Sequence, residues 1–381
     1  MICTKVFYDC LKKNNIDFFC GVPDSLLKDI CAFITKNISK QNHIITANEG
    51  AAVALASGFY LATGKIPMVY MQNSGIGNAI NPLLSLADKN VYKIPMLLLI
   101  GWRGEPGVKD EPQHITQGKL TLPLLELMEI PYIIISNESL NFKEKINSIV
   151  EQIRKTNIPH AIVIKKNTFE PFTLKDDTIV EYKMTREDAI KIIIDSLDEN
   201  DIVISTTGKT SRELFEYRKE KKQMHNRDFL TVGSMGHSSQ IALAIANEKI
   251  NKNVYCIDGD GSVIMHAGSL GIIGSNGKSN FKHIVINNGS HDSVGGQPTI
   301  GYNVNFGKLA SELGYKSYFS CSDLESLISK LKILKSQKGP VLLEIKVTKG
   351  SRKDLGRPTR TPIENKLDFM NFLNNETDNL Q

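Results

Sequence analysis

Two β-prone runs, 253–257 (Asn-Val-Tyr-Cys-Ile) and 283–286 (His-Ile-Val-Ile), each lead into a polar cluster. Gly259-Asp260-Gly261 follows the first and Asn287-Asn288 the second, with the Gly-bearing segment 262–286 between the two clusters. An Asp at one strand end and an Asn pair at the end of the next fit an open α/β sheet. Such sheets bind ligands outside the carboxyl ends of their strands, so both clusters would face one crevice. A carboxylate, a side-chain amide and a nearby backbone carbonyl are hard oxygen ligands. They suit an octahedral Mg²⁺ completed by a diphosphate and a water.

The rest of the chain reads as βα throughout. Short apolar strands are expected at 18–21, 43–46, 68–72, 96–100 and 161–164, alternating with helices near 6–14, 25–35, 51–62, 79–87, 120–129 and 142–156. The run 165–184 is polar, aperiodic and carries Pro171, which marks a linker. A second series opens at Thr185-Arg186-Glu187-Asp188, an N-cap signature. Its expected strands are 202–205, 229–232, 254–257, 284–287 and 341–347, and its helices 211–218, 239–246 and 323–331. The fold class expected is α/β: two doubly wound, mainly parallel-sheet domains, 1–170 and 185–381, joined by a linker at 171–184. No central third domain intervenes.

Composition narrows the function. The net charge of +5 is mild and no block of like charges appears, which argues against a nucleic-acid tail. The longest apolar run, 95–101, is too short to span a bilayer and reads as a buried parallel strand. Six cysteines show no CxxC or zinc spacing, as in a cytoplasmic protein with reduced thiols. Thr207-Gly208-Lys209-Thr210 has the ending of a Walker A loop, but its first glycine would fall on Val203, so the phosphate cradle is missing.

Two further stretches carry chemistry. Glu49 follows a strand and opens the small-residue helix Gly50-Ala51-Ala52-Val53-Ala54, which lets a ring approach closely, and the electropositive helix start tolerates the carboxylate. Val232-Gly233-Ser234-Met235-Gly236 ends another strand, and the glycines beside Met235 suggest a ligand-facing loop.

GDG, some two dozen residues and then NN resembles the diphosphate-binding motif of thiamine diphosphate (ThDP) enzymes. That resemblance implies Mg²⁺ held by Asp260, Asn288 and the Ser290 carbonyl, with Gly259, Gly261, Ser262 and Asn288 about the cofactor. It implies Glu49 against N1′ of the aminopyrimidine, the Gly233 carbonyl accepting from the 4′-amino group, and Met235 propping the cofactor into a bent form. The missing central domain directs the resemblance to compact decarboxylases. Four stretches look like the phosphonopyruvate decarboxylase family: Gly21 to Leu27, Gly101 to His114, Gly289 to Thr299 and Ser351 to Thr359.

Membership would imply decarboxylation of phosphonopyruvate to phosphonoacetaldehyde and CO₂ through a C2 ylide and an enamine, in phosphonate biosynthesis. It would also imply a homodimer or larger, with Glu49 and Asp260 of one site drawn from different subunits. A dianionic substrate needs cations or fixed donors if desolvated, and Arg103, Lys109, Arg352, Arg357 and His291 are the candidates. His114 is a candidate proton donor, and Asp24 and Ser25 would reach the cofactor's reactive carbon. Sulfopyruvate decarboxylase, a ThDP carboligase and a binding protein without chemistry stand as alternatives.

Overall fold

The computed structural model describes residues 1–174 and 182–374; half of the expected linker, 175–181, lies outside the described residues. The chain divides into two compact units, Met1–Asp177 with Ser293–Gln297, and Thr178–Asp292 with Pro298–Gln381.

The first unit holds β1 (Phe19–Gly21), β2 (His43–Ile45), β3 (Met68–Gln72), β4 (Leu97–Gly101), β5 (Tyr132–Ile135) and β6 (His160–Ile164). The second holds β7 (Ile202–Ser205), β8 (Asp228–Leu230), β9 (Val254–Gly259), β10 (Phe281–Asn287), β11 (Ser317–Cys321) and β12 (Val341–Lys346). Every pairing is parallel. The first sheet runs β2-β1-β3-β4-β6-β5, and the second, read from its β8 edge, runs β8-β7-β9-β10-β12-β11. The second order is the first advanced by six, so one topology is used twice. In each sheet the chain leaves its first strand to one side and returns on the other. The switch-point crevices therefore lie over β1 and β3, and over β7 and β9.

Helices cover both faces of each sheet, so central strands lose the polar alternation of a half-exposed strand. All five residues of β4 are buried. In the first unit Phe19, Met68, Tyr70, Leu97 and Leu99 pack on one face and Cys20, Val69, Met71, Leu98 and Ile100 on the other, as the two-residue period of a strand requires. The second unit repeats this with Tyr255, Ile257, Ile284 and Leu343 against Val254, Cys256, Val285 and Leu342. Five of the six thiols are buried, in agreement with the sequence reading. Among the described residues no helix is long and apolar enough to cross a membrane.

The structure adds two strands that the sequence reading passes over, β5 and β11. It also moves one helix start. The helix expected from 120 begins at Pro112 and runs to Leu127, because Pro at the first helical position costs no hydrogen bond. His114 thus sits in a first helical turn. The Thr185 N-cap is present as a full capping box with Asp188.

Candidate active site

In the first unit, polar side chains gather at the carboxyl ends of β1, β3 and β4. Asp24 follows β1 and is fully buried. Its Oδ2 accepts from the Leu26 and Leu27 amides at 2.9 and 3.2 Å, and its Oδ1 from Gln72 Nε2 at 2.6 Å. Burial raises the Asp24 pKa, against those donors and the nearby Arg103. No side chain would fit at Gly101, where a Cβ would fall 2.0 Å from Asp24 Oδ2.

Arg103, just past β4, donates from Nη1 to Ser25 Oγ at 2.8 Å and from Nε to Asp110 Oδ2 at 2.7 Å, and its Nη2 also meets Asp110. Asp110 in turn accepts from the Gly104 and Glu111 amides. Asn73 clamps the Arg103 backbone, donating to its carbonyl at 2.8 Å and accepting from its amide at 3.1 Å. Asp24, Ser25 and Arg103 therefore belong to one network. Lys109 is exposed.

His114 is buried beside Gly104, and its Nδ1 has no hydrogen-bond partner among the described residues. Burial, reinforced by Arg103, depresses its pKa to about 4. It is therefore a neutral imidazole near pH 7, and an anion bound nearby would have to raise its basicity before it could deliver a proton. Glu49 opens the helix Glu49–Thr63, whose Asn48 cap accepts from the Ala51 amide. Its carboxylate is buried, and Oε2 accepts from Asn78 Nδ2 at 2.7 Å. A Cβ at Gly75 would stand 2.3 Å from Glu49 Oε1, so the carboxylate occupies space that only a glycine leaves open.

In the second unit, the loops after β7, β8, β9 and β10 supply the corresponding edge. Asp260 opens the short helix Asp260–Met265 and is 2% exposed. Thr299 Oγ1 donates to its Oδ2, yet burial still pushes its pKa up to about 6. A carboxylate whose burial outweighs its hydrogen bonds in this way suits a neighbouring cation.

The two Asn residues divide their work. Asn287 is internal: it donates to the Gly301 carbonyl at 3.0 Å and to Glu344 Oε1 at 2.8 Å, and accepts from the Gly289 amide. Asn288 accepts at Oδ1 from the Ser290 amide at 3.1 Å and donates from Nδ2 to Asp292 at 2.8 Å. Gly301 closes the pocket from behind, since a Cβ there would lie 2.2 Å from Asp260 Oδ2 and 2.6 Å from Asn287 Oδ1. The buried Ser290 Oγ has no hydrogen-bond partner among the described residues.

Ser262 Oγ accepts from the Gly236 amide and lies 3.0 Å from Thr206 Oγ1, tying together three of these loops. Gly233 has a φ of +70° and donates to Thr207 Oγ1. A Cβ on Gly261 would sit 3.2 Å from His291 Cε1 and 3.4 Å from Met235 Cε, so Met235 and His291 converge on the glycine next to Asp260. Burial depresses the His291 pKa to about 4. Gly259, by contrast, has nothing within 4 Å of where a side chain would begin. Arg352 is engaged by Glu187, Glu216 and Asp354, and Arg357 is exposed.

The carboxylate of Asp260, the side-chain amide oxygen of Asn288 and the Ser290 carbonyl are hard oxygen donors, the chemical kind that Mg²⁺ takes. The sequence reading missed Gln72, Asn73 and Asp110 in the first unit and Arg186, Glu213, Thr299 and Glu344 in the second. All but Asp110 act through a partner distant in the chain, and no local spacing betrays that.

Known proteins bear on this geometry directly. The family model for the N-terminal TPP (thiamine pyrophosphate, that is ThDP) binding domain of thiamine pyrophosphate enzymes matches residues 1–123, and that for the C-terminal TPP binding domain matches residues 206–345. The chain is 32% identical over 368 residues to a phosphonopyruvate decarboxylase of Streptomyces viridochromogenes, covering 93% of this chain and 90% of that protein. It is 31% identical to one of Streptomyces hygroscopicus, covering 92% and 89%. A sulfopyruvate decarboxylase of Methanosarcina acetivorans is 29% identical, covering 76% and 77%. With two ThDP-binding domains in sequence and curated relatives along almost its whole length, the chain belongs to the phosphonopyruvate decarboxylase family of ThDP-dependent 2-oxo-acid decarboxylases.

Proposed function

We propose that this carboxy-lyase converts phosphonopyruvate to phosphonoacetaldehyde and CO₂ with ThDP and Mg²⁺, as a cytoplasmic enzyme of phosphonate biosynthesis. The observation that carries the substrate reading is the similarity to two phosphonopyruvate decarboxylases over more than nine-tenths of the chain. The site chemistry is compatible with it. Arg103 is held by Asp110 and Ser25 at a sheet edge, which fixes a planar cation where a phosphonate needs one.

Asp260, the Asn288 amide oxygen and the Ser290 carbonyl would hold Mg²⁺, and Gly259, Gly261, Ser262 and Asn288 would line the diphosphate. The Gly233 carbonyl would accept from the 4′-amino group, and Met235 would support the bent cofactor. Bound ThDP supplies a nucleophilic carbon and an electron sink for the departing carboxylate. Glu49 would hold and exchange a proton with the aminopyrimidine of bound ThDP, and its buried carboxylate would keep that proton out of bulk water. Asp24 and Ser25 face the reacting carbon. His114 supplies the proton that replaces CO₂, once the anionic substrate has raised its basicity. Lys109, His291, Arg352 and Arg357 complete the set from which substrate contacts are drawn.

We place Glu49 and Asp260 of one site on different subunits, so the working form is a homodimer or larger. The deciding experiment follows CO₂ and aldehyde release from phosphonopyruvate, sulfopyruvate and pyruvate in parallel, with ThDP and Mg²⁺ present. Preference for phosphonopyruvate is the expected result. Preference for sulfopyruvate, the substrate named for the Methanosarcina acetivorans relative, would keep the chemistry and overturn the substrate.

A further inference from the structure

Behind Asn288 runs a chain of buried charges that is not part of the donor set itself. Asp292 Oδ2 accepts from Asn288 Nδ2 at 2.8 Å, from the Gly350 amide at 2.9 Å and from Arg186 Nη1 at 3.1 Å. Arg186 is in turn gripped by Glu213, with Nε on Oε2 at 2.7 Å and Nη2 on Oε1 at 2.8 Å. The side chains of Arg186, Glu213 and Asp292 are 7%, 1% and 8% exposed.

Two carboxylates share one guanidinium, so this triad carries one negative charge in excess. Lys209 lies close enough to interact with Asp292, Arg186 and Glu213, and burial lowers its pKa. A buried ion triad is costly to build, and replacing it with apolar residues is often neutral or stabilising. Fold stability alone is thus a weak reason for the arrangement. Its geometry supplies a better one. An amide offers a donor face and an acceptor face of nearly the same shape, and only its partners decide which way it turns. The carboxylate of Asp292 can accept but never donate, so it takes the Nδ2 end of Asn288. The oxygen end is left toward Ser290, whose amide it already meets.

We infer that Asp292, locked by Arg186 and Glu213, is a positioning residue that turns the Asn288 amide oxygen toward the cation. This rests on the Mg²⁺ and ThDP reading above and adds to it a reason for the Glu213–Arg186–Asp292 chain. Carboxylates behind a ligand orient it and raise its donor strength, and their loss costs 10–100-fold in metal affinity in comparable sites.

The test titrates Mg²⁺ into protein in excess ThDP by calorimetry, for the natural sequence, Asp292→Ala and Asp292→Asn, with the melting temperature of each apo protein measured beside it. Asp292→Ala is expected to weaken Mg²⁺ by about 10–100-fold. Asp292→Asn keeps an acceptor for Asn288 and loses only the charge, so it should fall between the other two. A merely structural Asp292 would lower the apo melting temperature and leave Mg²⁺ affinity where it was. Binding by Asp292→Ala within twofold of the natural sequence overturns the inference while the cofactor reading stands. Should Asp292→Ala fail to fold, Asp292→Asn alone decides by the same criterion. No Mg²⁺-dependent binding of ThDP by the natural sequence overturns the cofactor reading and takes the inference with it.

Discussion

Glu49 and Gly301 illustrate how few atoms decide this protein's chemistry. Replacing Glu49 with Gln keeps the volume and removes the exchangeable charge. Turnover of the loaded enzyme should fall by about 10²–10⁴-fold, the usual worth of general acid–base catalysis, with Tm almost unchanged. A Glu49→Gln enzyme that releases CO₂ at the natural rate would remove Glu49 from its role. Gly301→Ala acts by volume, because its methyl group would meet Asp260 and Asn287 head on. The expected cost is roughly 1–3 kcal/mol of stability, typical of overpacking, together with weakened Mg²⁺ binding, read by chemical unfolding and titration. Acid sensitivity has a residue-level origin as well. His43 and His114 are both held at about 4 by burial, below their ordinary value of 6.5. Their folded pKa lies below the unfolded one, so their contribution is intact above pH 6.5 and is lost as pH falls toward 4. Melting temperatures recorded from pH 7 to pH 4.5 should drop, and His43→Gln should flatten part of that drop; an unaltered slope would acquit His43. At this scale the sequence was legible where the chemistry is contiguous. Asp260 and Asn288 stand in short motifs, whereas Arg186 and Asp292 meet across a separation of 106 positions in the chain.

At the scale of elements, helix starts carry the site. The helix Glu49–Thr63 depends on Asn48, whose side chain accepts from the Ala51 amide at 2.9 Å. Asn48→Ala should cost about 1 kcal/mol and lower turnover too, since Glu49 is the first helical residue. The helix Leu324–Ser336 is capped in the same way by Asp323 but carries none of the site residues itself. Asp323→Ala should lower the melting temperature and leave turnover alone. Equal losses of turnover in both variants would break the link between the Asn48 cap and Glu49. Element patterns also explain what could be read beforehand. Central β4 is an unbroken apolar run and β10 carries one at Ile284, Val285 and Ile286, so both announce themselves. The two strands passed over, β5 and β11, occupy the same outer position in their respective sheets. Both are only partly buried; the apolar signal of β11 is broken by its serines, whereas the Tyr-Ile-Ile-Ile of β5 is legible and is passed over for its shortness.

For the whole molecule, the cofactor is expected to be a stabiliser. Anything that binds only the folded state adds free energy that grows with the logarithm of its concentration, about 2.7 kcal/mol at a hundred times the dissociation constant. ThDP with Mg²⁺ should therefore raise the melting temperature, and EDTA should return it to the apo value; a chelator-insensitive shift would deny the metal its part. The repeated strand order has a consequence of another kind. Each sheet draws its six strands from one continuous stretch of chain, the first from residues 19–164 and the second from 202–346. No ladder of hydrogen bonds is stitched from both stretches. A polypeptide laid out this way has a seam. Severed in the interval 165–184, it should yield two pieces that each keep a complete sheet, and co-production of the halves should restore turnover without a peptide bond between them.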